Sequence, residues 1–182
     1  MVLNHETSAG RSAAAPHNWP TEAPIALDRH RATLLLFAHP HCPCTRATLG
    51  ELNRLLGKYP NRVATHIFFV KPEKAPSDWL HTSLWRSAAS MRGVTIHTDR
   101  CGTQARLFGA QTSGYVVFYS PEGQLLFKGG ITAGRGHAGD NAGLSTIFSL
   151  LSGGNPALTQ TPVYGCALTD FDSPETTTVC TK

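Results

Sequence analysis

The stretch "TLLLFA", residues 33–38, limits the fold more than any other part of this 182-residue chain. It is an apolar run of strand length without polar alternation, the pattern of a strand buried on both faces. Such a strand needs neighbours on either side and covering layers above and below. The rest of the chain supplies candidates for both. Leu49, Leu52, Leu55 and Leu56 fall on one helical stripe and predict a helix from about Pro43 to Tyr59. "VATHIFFV" (63–70) reads as the next strand, and Leu80, Leu84, Ala88 and Met91 follow at helical spacing with Asp78 as the expected N-cap. "VTIH" (94–97) is a short strand and "GTQARLFG" (102–109) a short helix. "YVVFY" (115–119) and "QLLFK" (124–128) flank the turn "SPEG" as an antiparallel hairpin, and Leu144, Ile147, Phe148 and Leu151 mark a last helix.

The order strand–helix–strand–helix–strand–helix–hairpin–helix predicts an α/β protein with a mixed sheet covered on both faces. The expected body is residues 25–154. Residues 1–24, rich in Ala, Ser, Pro and Gly, are expected to form a flexible N-terminal arm, and residues 155–182 a C-terminal tail partly docked through "TPVYGCAL". A composition of 41% hydrophobic and 15% charged residues is that of a globular protein. The net charge of +4 is spread singly, which argues against a nucleic-acid partner. No apolar run has the length of a membrane segment. The start of the chain lacks the basic and apolar pattern of a signal peptide. The expectation is therefore a cytoplasmic protein as the chain stands, or a periplasmic or membrane-tethered one if a natural precursor carries a leader or anchor.

Chemistry concentrates in "HPHCPC", residues 39–44, directly after the buried run. Pro is at home at the first helical position, so Cys42 is expected as the N-cap, its sulfur over unpaired backbone N–H groups that favour a thiolate. His39, His41 and Arg46 add positive or hydrogen-bonding character. Cys44 is the natural partner for a disulfide, and the small strained ring of a C-x-C pair predicts an oxidant or isomerase rather than a strong reductant. Two alternatives stand beside this one. His39, His41, Cys42 and Cys44 offer imidazole and thiolate ligands suited to copper or zinc, although structural zinc sites space their cysteines more widely. The thiols could also simply be buried as small hydrophobes.

Other residues bear on the same site. The glycine-rich stretch "GGITAGRGHAGDNAG" (129–143) follows the hairpin strand that returns toward the end of the first strand, which would bring Arg135 and His137 to the thiols as charge and proton partners. Its plainer role is a loop ending in Asp140 or Asn141 as helix cap. Cys166, in the apolar tail segment, is a candidate resolving thiol if the tail returns past the last helix. Cys101 is expected as an ordinary half-buried thiol, and Cys180 is given no role. Trp79, Trp85, Phe68 and Phe118 are expected as packing residues.

The element order, with cysteines at the end of the first strand, resembles the thioredoxin-like superfamily, and within it the redoxin branch of TlpA- and ResA-like proteins. In that family a segment of the type F-W-A-x-W-C-G-P-C-x-x-x-x-P-x-L precedes the first long helix. Laid on "FAHPHCPCTRATLGEL", Cys42 takes the attacking position, Thr45 the resolving position, and Cys44 stands one residue early. "GAQTSGYVVFYSPEGQLLF" is similar to the family segment G-x-x-x-T-P-T-x-F-x-x-D-x-x-G-x-I, with Gly114 at the cis-proline position and Ser113 before it. The resemblance covers about residues 25–153 and departs from the family at two points, C-x-C for C-x-x-C and Gly114 for proline. It implies a three-layer α/β/α sandwich and a thiol–disulfide oxidoreductase. Cys42 and Cys44 would be the redox pair, Ser113, Gly114 and His41 would line the substrate, and no cofactor would be needed. A protein or small-molecule disulfide and an electron donor would be the partners. A thiol peroxidase with Cys42 as the peroxidatic residue is the neighbouring alternative, although the P-x-x-x-T-x-x-C pattern associated with peroxiredoxins is missing.

Overall fold

The structure, a computed structural model, describes residues 8–169. The apolar run becomes β1 (Ala32–Ala38), and every side chain from Thr33 to Ala38 is fully buried. Its chemistry is that of a strand with no wet face, and it lies at the centre of the sheet. It pairs in parallel with β2 (Val63–Lys71) and antiparallel with β4 (Tyr115–Tyr119). β3 (Val94–Arg100) extends the parallel side, and β5 (Leu125–Gly130) forms the antiparallel hairpin with β4. The order is β3-β2-β1-β4-β5, a mixed five-stranded sheet ending in a hairpin.

Alternate residues of the sheet feed two cores. Leu34, Leu36, Ile67, Phe69, Val116 and Phe118 meet one face, covered by α1 (Thr45–Lys58), α2 (Ser83–Ala89) and α4 (Ala142–Leu151). Leu35, Phe37, Phe68, Val70, Val117 and Tyr119 meet the other, where α3 (Thr103–Leu107) contributes Ala105. Each such large apolar side chain stabilises the fold by about 1.5–3 kcal/mol. Among the described residues, no helix is long and apolar enough to cross a membrane.

Several boundaries differ from expectation. The cap of α2 is Thr82, whose hydroxyl accepts from the Trp85 N–H at 3.2 Å, not Asp78. Residues 76–82 instead form successive turns, pinned by the Trp79 indole N–H donating to the Val70 carbonyl at 3.0 Å. Of the two expected caps of α4, Asn141 is the one used, accepting from Leu144 N–H at 2.7 Å. Cys101 is not a free thiol but disulfide-bonded. It sits at a left-handed turn, φ 56°, after β3.

The largest correction concerns the chain ends. Over residues 8–24 the expected flexible arm is instead laid along the second core. Ala13 N–H donates to Gly109 O at 2.9 Å, Trp19 N–H to Gly123 O at 2.7 Å, and the Tyr119 hydroxyl to Pro16 O at 2.7 Å. The Trp19 ring packs against Phe108 and Tyr119. The physical reason is cover: one five-residue helix is too short to roof this face, so the chain ends complete it. At the other end, the backbone runs beside β5, with Lys128 N–H to Thr159 O at 3.0 Å and Thr161 N–H to Lys128 O at 3.2 Å. Gly129 and Gly130 allow this approach, since a Cβ on either would strike the carbonyls of Thr161 and Pro162. Val163 and Leu168 are both buried in the second core. Cys180 lies outside the described residues.

One polar pair sits in the parallel half of the sheet. His66 Nδ1 and His97 Nε2 are 2.9 Å apart, and His97 stacks on Phe68. Burial, then the neighbouring imidazole, lowers His66 from 6.5 to about 4, and burial lowers His97 as well. As pH falls below 6.5 the unfolded chain takes up protons that the folded chain refuses, so stability declines on acidification. Thermal melts should therefore show a lower midpoint at pH 5 than at pH 7, and His66→Gln, which keeps a hydrogen-bonding group, should shrink that difference. An unchanged pH dependence in His66→Gln would remove the pair from the account.

Candidate functional site

β1 ends at Ala38 and delivers residues 39–44 at the sheet's edge. The chain then turns tightly, with Thr45 N–H to Cys42 O at 3.1 Å, Arg46 N–H to Pro43 O at 3.2 Å and Ala47 N–H to Cys44 O at 3.1 Å. This turn moves the helix start onward: the N-cap of α1 is Cys44, not Cys42, and it makes no side-chain capping bond. Cys42 is nevertheless supplied with donors. Its sulfur accepts from the Cys166 backbone N–H at 3.3 Å, and also from the Cys166 thiol, the Thr45 hydroxyl and the Cys44 backbone N–H. Burial alone would push the Cys42 thiol up, but these hydrogen bonds outweigh it and hold the group below its ordinary value.

The other two sulfurs are driven the opposite way. Burial, then the charge on Cys42 and a hydrogen bond to it, raise Cys44. Burial, the hydrogen bond to Cys42 and the charges of both other sulfurs push Cys166 up to about 12. Arg135 opposes both shifts. Of the three sulfurs, Cys42 is thus the one whose ionisation the surroundings favour, while Cys44 and Cys166 are held above the ordinary thiol value.

Arg135 comes from the loop after β5 and donates through Nη1 to the Gly165 carbonyl at 2.7 Å, while its Nε is buried without a partner. Among the described residues no salt bridge to a carboxylate is formed by Arg135, and its charge bears on Cys44 and Cys166. The loop is tied to α1 by Glu51, buried in the middle of that helix, which accepts from Gly139 N–H at 2.6 Å. His137 is on the solvent side, its backbone N–H donating to Gly134 O at 3.3 Å. Arg135, from the same loop, opposes the upward shifts of Cys44 and Cys166.

Ser113 and Gly114 face the thiols across the sheet's edge. Ser113 Oγ accepts from His39 N–H at 2.8 Å and lies 2.8 Å from Thr45 Oγ1. Ser113 N–H donates to the Cys166 carbonyl at 2.8 Å, and Gly114 N–H to Phe37 O at 2.9 Å. Gly114 has φ 95°, and no peptide bond among the described residues is cis. A Cβ at this position would come within 3.0 Å of Thr48 Oγ1, so the glycine meets both a backbone and a packing need.

The two histidines pack on Trp79. His41 packs edge-on against Trp79 with centroids 4.4 Å apart, and His39 contacts the same indole at 5.6 Å. His39 Nδ1 accepts from His41 N–H at 3.2 Å, and burial, then the His41 charge, lower its pKa. Among the described residues no three His, Cys, Asp or Glu side chains group as a metal would require. The site residues missed by sequence reasoning are Trp79, Thr45 as a donor, and Gly165. Gly165 touches Ser113 so closely that a Cβ would collide with its carbonyl. Only the glycine beside a cysteine in "VYGCAL" could have hinted at this.

No family model matches the sequence, and no curated protein matches it. Solved structures do. An uncharacterized conserved protein from Geobacillus kaustophilus is similar with a TM-score of 0.69 and 20% identity, over 92% of this chain and 98% of that one. A hypothetical protein from Sinorhizobium meliloti 1021 is similar with a TM-score of 0.67 and 19% identity, over 86% and 96%. A secreted Mycobacterium tuberculosis disulfide oxidoreductase homologous to E. coli DsbE is similar with a TM-score of 0.50 and 15% identity, over 70% and 84%. With the sheet order and the position of Cys42 after the central strand, these likenesses establish that the chain has the thioredoxin-like fold.

Proposed function

We propose that the protein is a thiol–disulfide oxidoreductase working through a Cys42-x-Cys44 dithiol/disulfide couple. The observation that carries this reading is the buried Cys42 sulfur accepting from the Cys166 backbone N–H at 3.3 Å, in surroundings that lower the Cys42 thiol and raise that of Cys44. The thiolate is the nucleophile in disulfide exchange, and a protonated neighbour is suited to the second step. The disulfide oxidoreductase chemistry named for the Mycobacterium tuberculosis neighbour agrees with it.

Cys42 attacks one sulfur of a substrate disulfide. That bond breaks, a Cys42–substrate disulfide forms, and the second substrate sulfur leaves and takes a proton. Cys44 then loses its proton beside Arg135 and attacks the Cys42 sulfur. A Cys42–Cys44 disulfide forms and the first substrate sulfur is released. Two electrons pass from protein to substrate, and a dithiol donor restores the pair. Run backward, the same steps oxidise a substrate dithiol. Ser113, Gly114 and His41 line the substrate's path, and a protein or small molecule carrying a disulfide is the expected partner.

Cys42→Ser should reduce turnover of a model protein disulfide to the background rate, whereas a Cys44→Ser/Cys166→Ser double variant should accumulate a mixed disulfide at Cys42. Peroxide consumption without disulfide turnover would transfer the assignment to a thiol peroxidase. Following thiolate absorbance against pH, with Cys42→Ser as the blank, should place the Cys42 midpoint below the ordinary thiol value of about 8.5. Thr45→Val should raise that midpoint by about half to one pH unit, the equivalent of one hydrogen bond of ~1 kcal/mol. The couple's reduction potential should lie above the value of about −270 mV typical of thioredoxin.

A further inference from the structure

Cys42 is only 1% exposed, an unusual state for a sulfur that must meet a substrate. The chain's own segment 163–168 lies across it. That segment is paired antiparallel with the sheet's edge, through a bridge between Thr112 and Ala167, Ser113 N–H to Cys166 O at 2.8 Å and Leu168 N–H to Gln111 O at 2.9 Å. Val163 and Leu168 anchor it on either side in the second core, and Arg135 clamps the Gly165 carbonyl. Between these anchors Cys166 presents both its backbone N–H and its thiol to the Cys42 sulfur. A peptide that added itself to residues 111–113 by backbone pairing and brought a sulfur to Cys42 would do the same two things.

The geometry points to Cys166 as a third redox thiol and to segment 163–168 as an internal peptide substrate, which takes the disulfide from Cys44 and competes with outside peptides for the edge at 111–113. This rests on the oxidoreductase reading above, which supplies the Cys42–Cys44 disulfide. The step is an exchange with no net oxidation. The Cys166 sulfur attacks Cys42, the Cys42–Cys44 bond breaks, a Cys42–Cys166 bond forms, and Cys44 leaves as a thiol with the proton that Cys166 gives up. Oxidation of Cys42 favours this. It removes the Cys42 charge and the hydrogen bond to it, both of which hold the proton on Cys166, while Arg135 stays in place.

The test is to expose full-length protein and its Cys44→Ser variant to oxidised glutathione, block free thiols, and map disulfides by peptide mass spectrometry. An internal Cys42–Cys166 link as the main product in Cys44→Ser, and alongside Cys42–Cys44 in the unmodified protein, is the expected result. In Gly165→Ala, where the new Cβ meets the Ser113 carbonyl, the Cys42–Cys166 link should fall and the Cys42–glutathione adduct should rise by at least about tenfold, because the docked thiol's effective concentration is lost. A thermal melt confirms that this variant folds. Accumulation of the glutathione adduct on Cys42 in Cys44→Ser, with Cys166 fully blocked as a free thiol, would overturn the inference while leaving the oxidoreductase reading intact. An unmodified Cys42 in every form would overturn both.

Discussion

Complete burial of β1 is the constraint on which the rest of the molecule depends. A strand without a wet face demands a roof on each side of the sheet. On one side three helices provide it, contributing Leu49, Leu52, Leu84, Leu144 and Ile147 to a continuous core. On the other, α3 has five residues, and the deficit is met by both ends of the chain. The N-terminal segment brings Ala15 and Trp19, and the C-terminal segment brings Val163 and Leu168. Cover for the strand and closure of the site are therefore one event, because the tail that completes the roof also carries Cys166 over Cys42.

The electrostatics of the site follow from crowding three sulfurs together, with the half-buried Arg135 beside Cys44 and Cys166. In a low-dielectric setting only one sulfur ionises readily, since each further charge faces its neighbour's repulsion. Hydrogen bonds decide which one. Cys42 receives them from Cys166, Thr45 and Cys44, whereas Cys44 and Cys166 give theirs away. Arg135 does not select the thiolate. It lessens the penalty for whichever other sulfur must lose its proton next.

The sheet was legible in the sequence because its signals are local. The "TLLLFA" run, the leucine stripe of α1 and the hairpin turn each announce an element without reference to distant residues. Helix starts were less legible. Asp78 is the expected cap, but residues 76–82 are held in turns, with Trp79 bonded back to Val70, and the helix starts after Thr82. The N-terminal stretch suggested mobility by composition, but it is held largely by backbone groups, to which composition is blind. Topology brought the loop of residues 129–143 to the edge that carries Cys42, without distinguishing Arg135 from His137. The Cys166 contact could not be placed this way, because the tail's return depends on backbone pairing along β5 and on two glycines in that strand rather than on any pattern within the tail.

The bond between Glu51 and Gly139 joins the helix that follows Cys44 to the loop that holds Arg135. A carboxylate that is bonded to neither the cation nor the second sulfur thus ties together the two elements that carry them. Under the exchange chemistry proposed above, lengthening, weakening or neutralising that tether is a way to alter the surroundings of the sulfurs while leaving the sulfurs and the cation themselves in the chain.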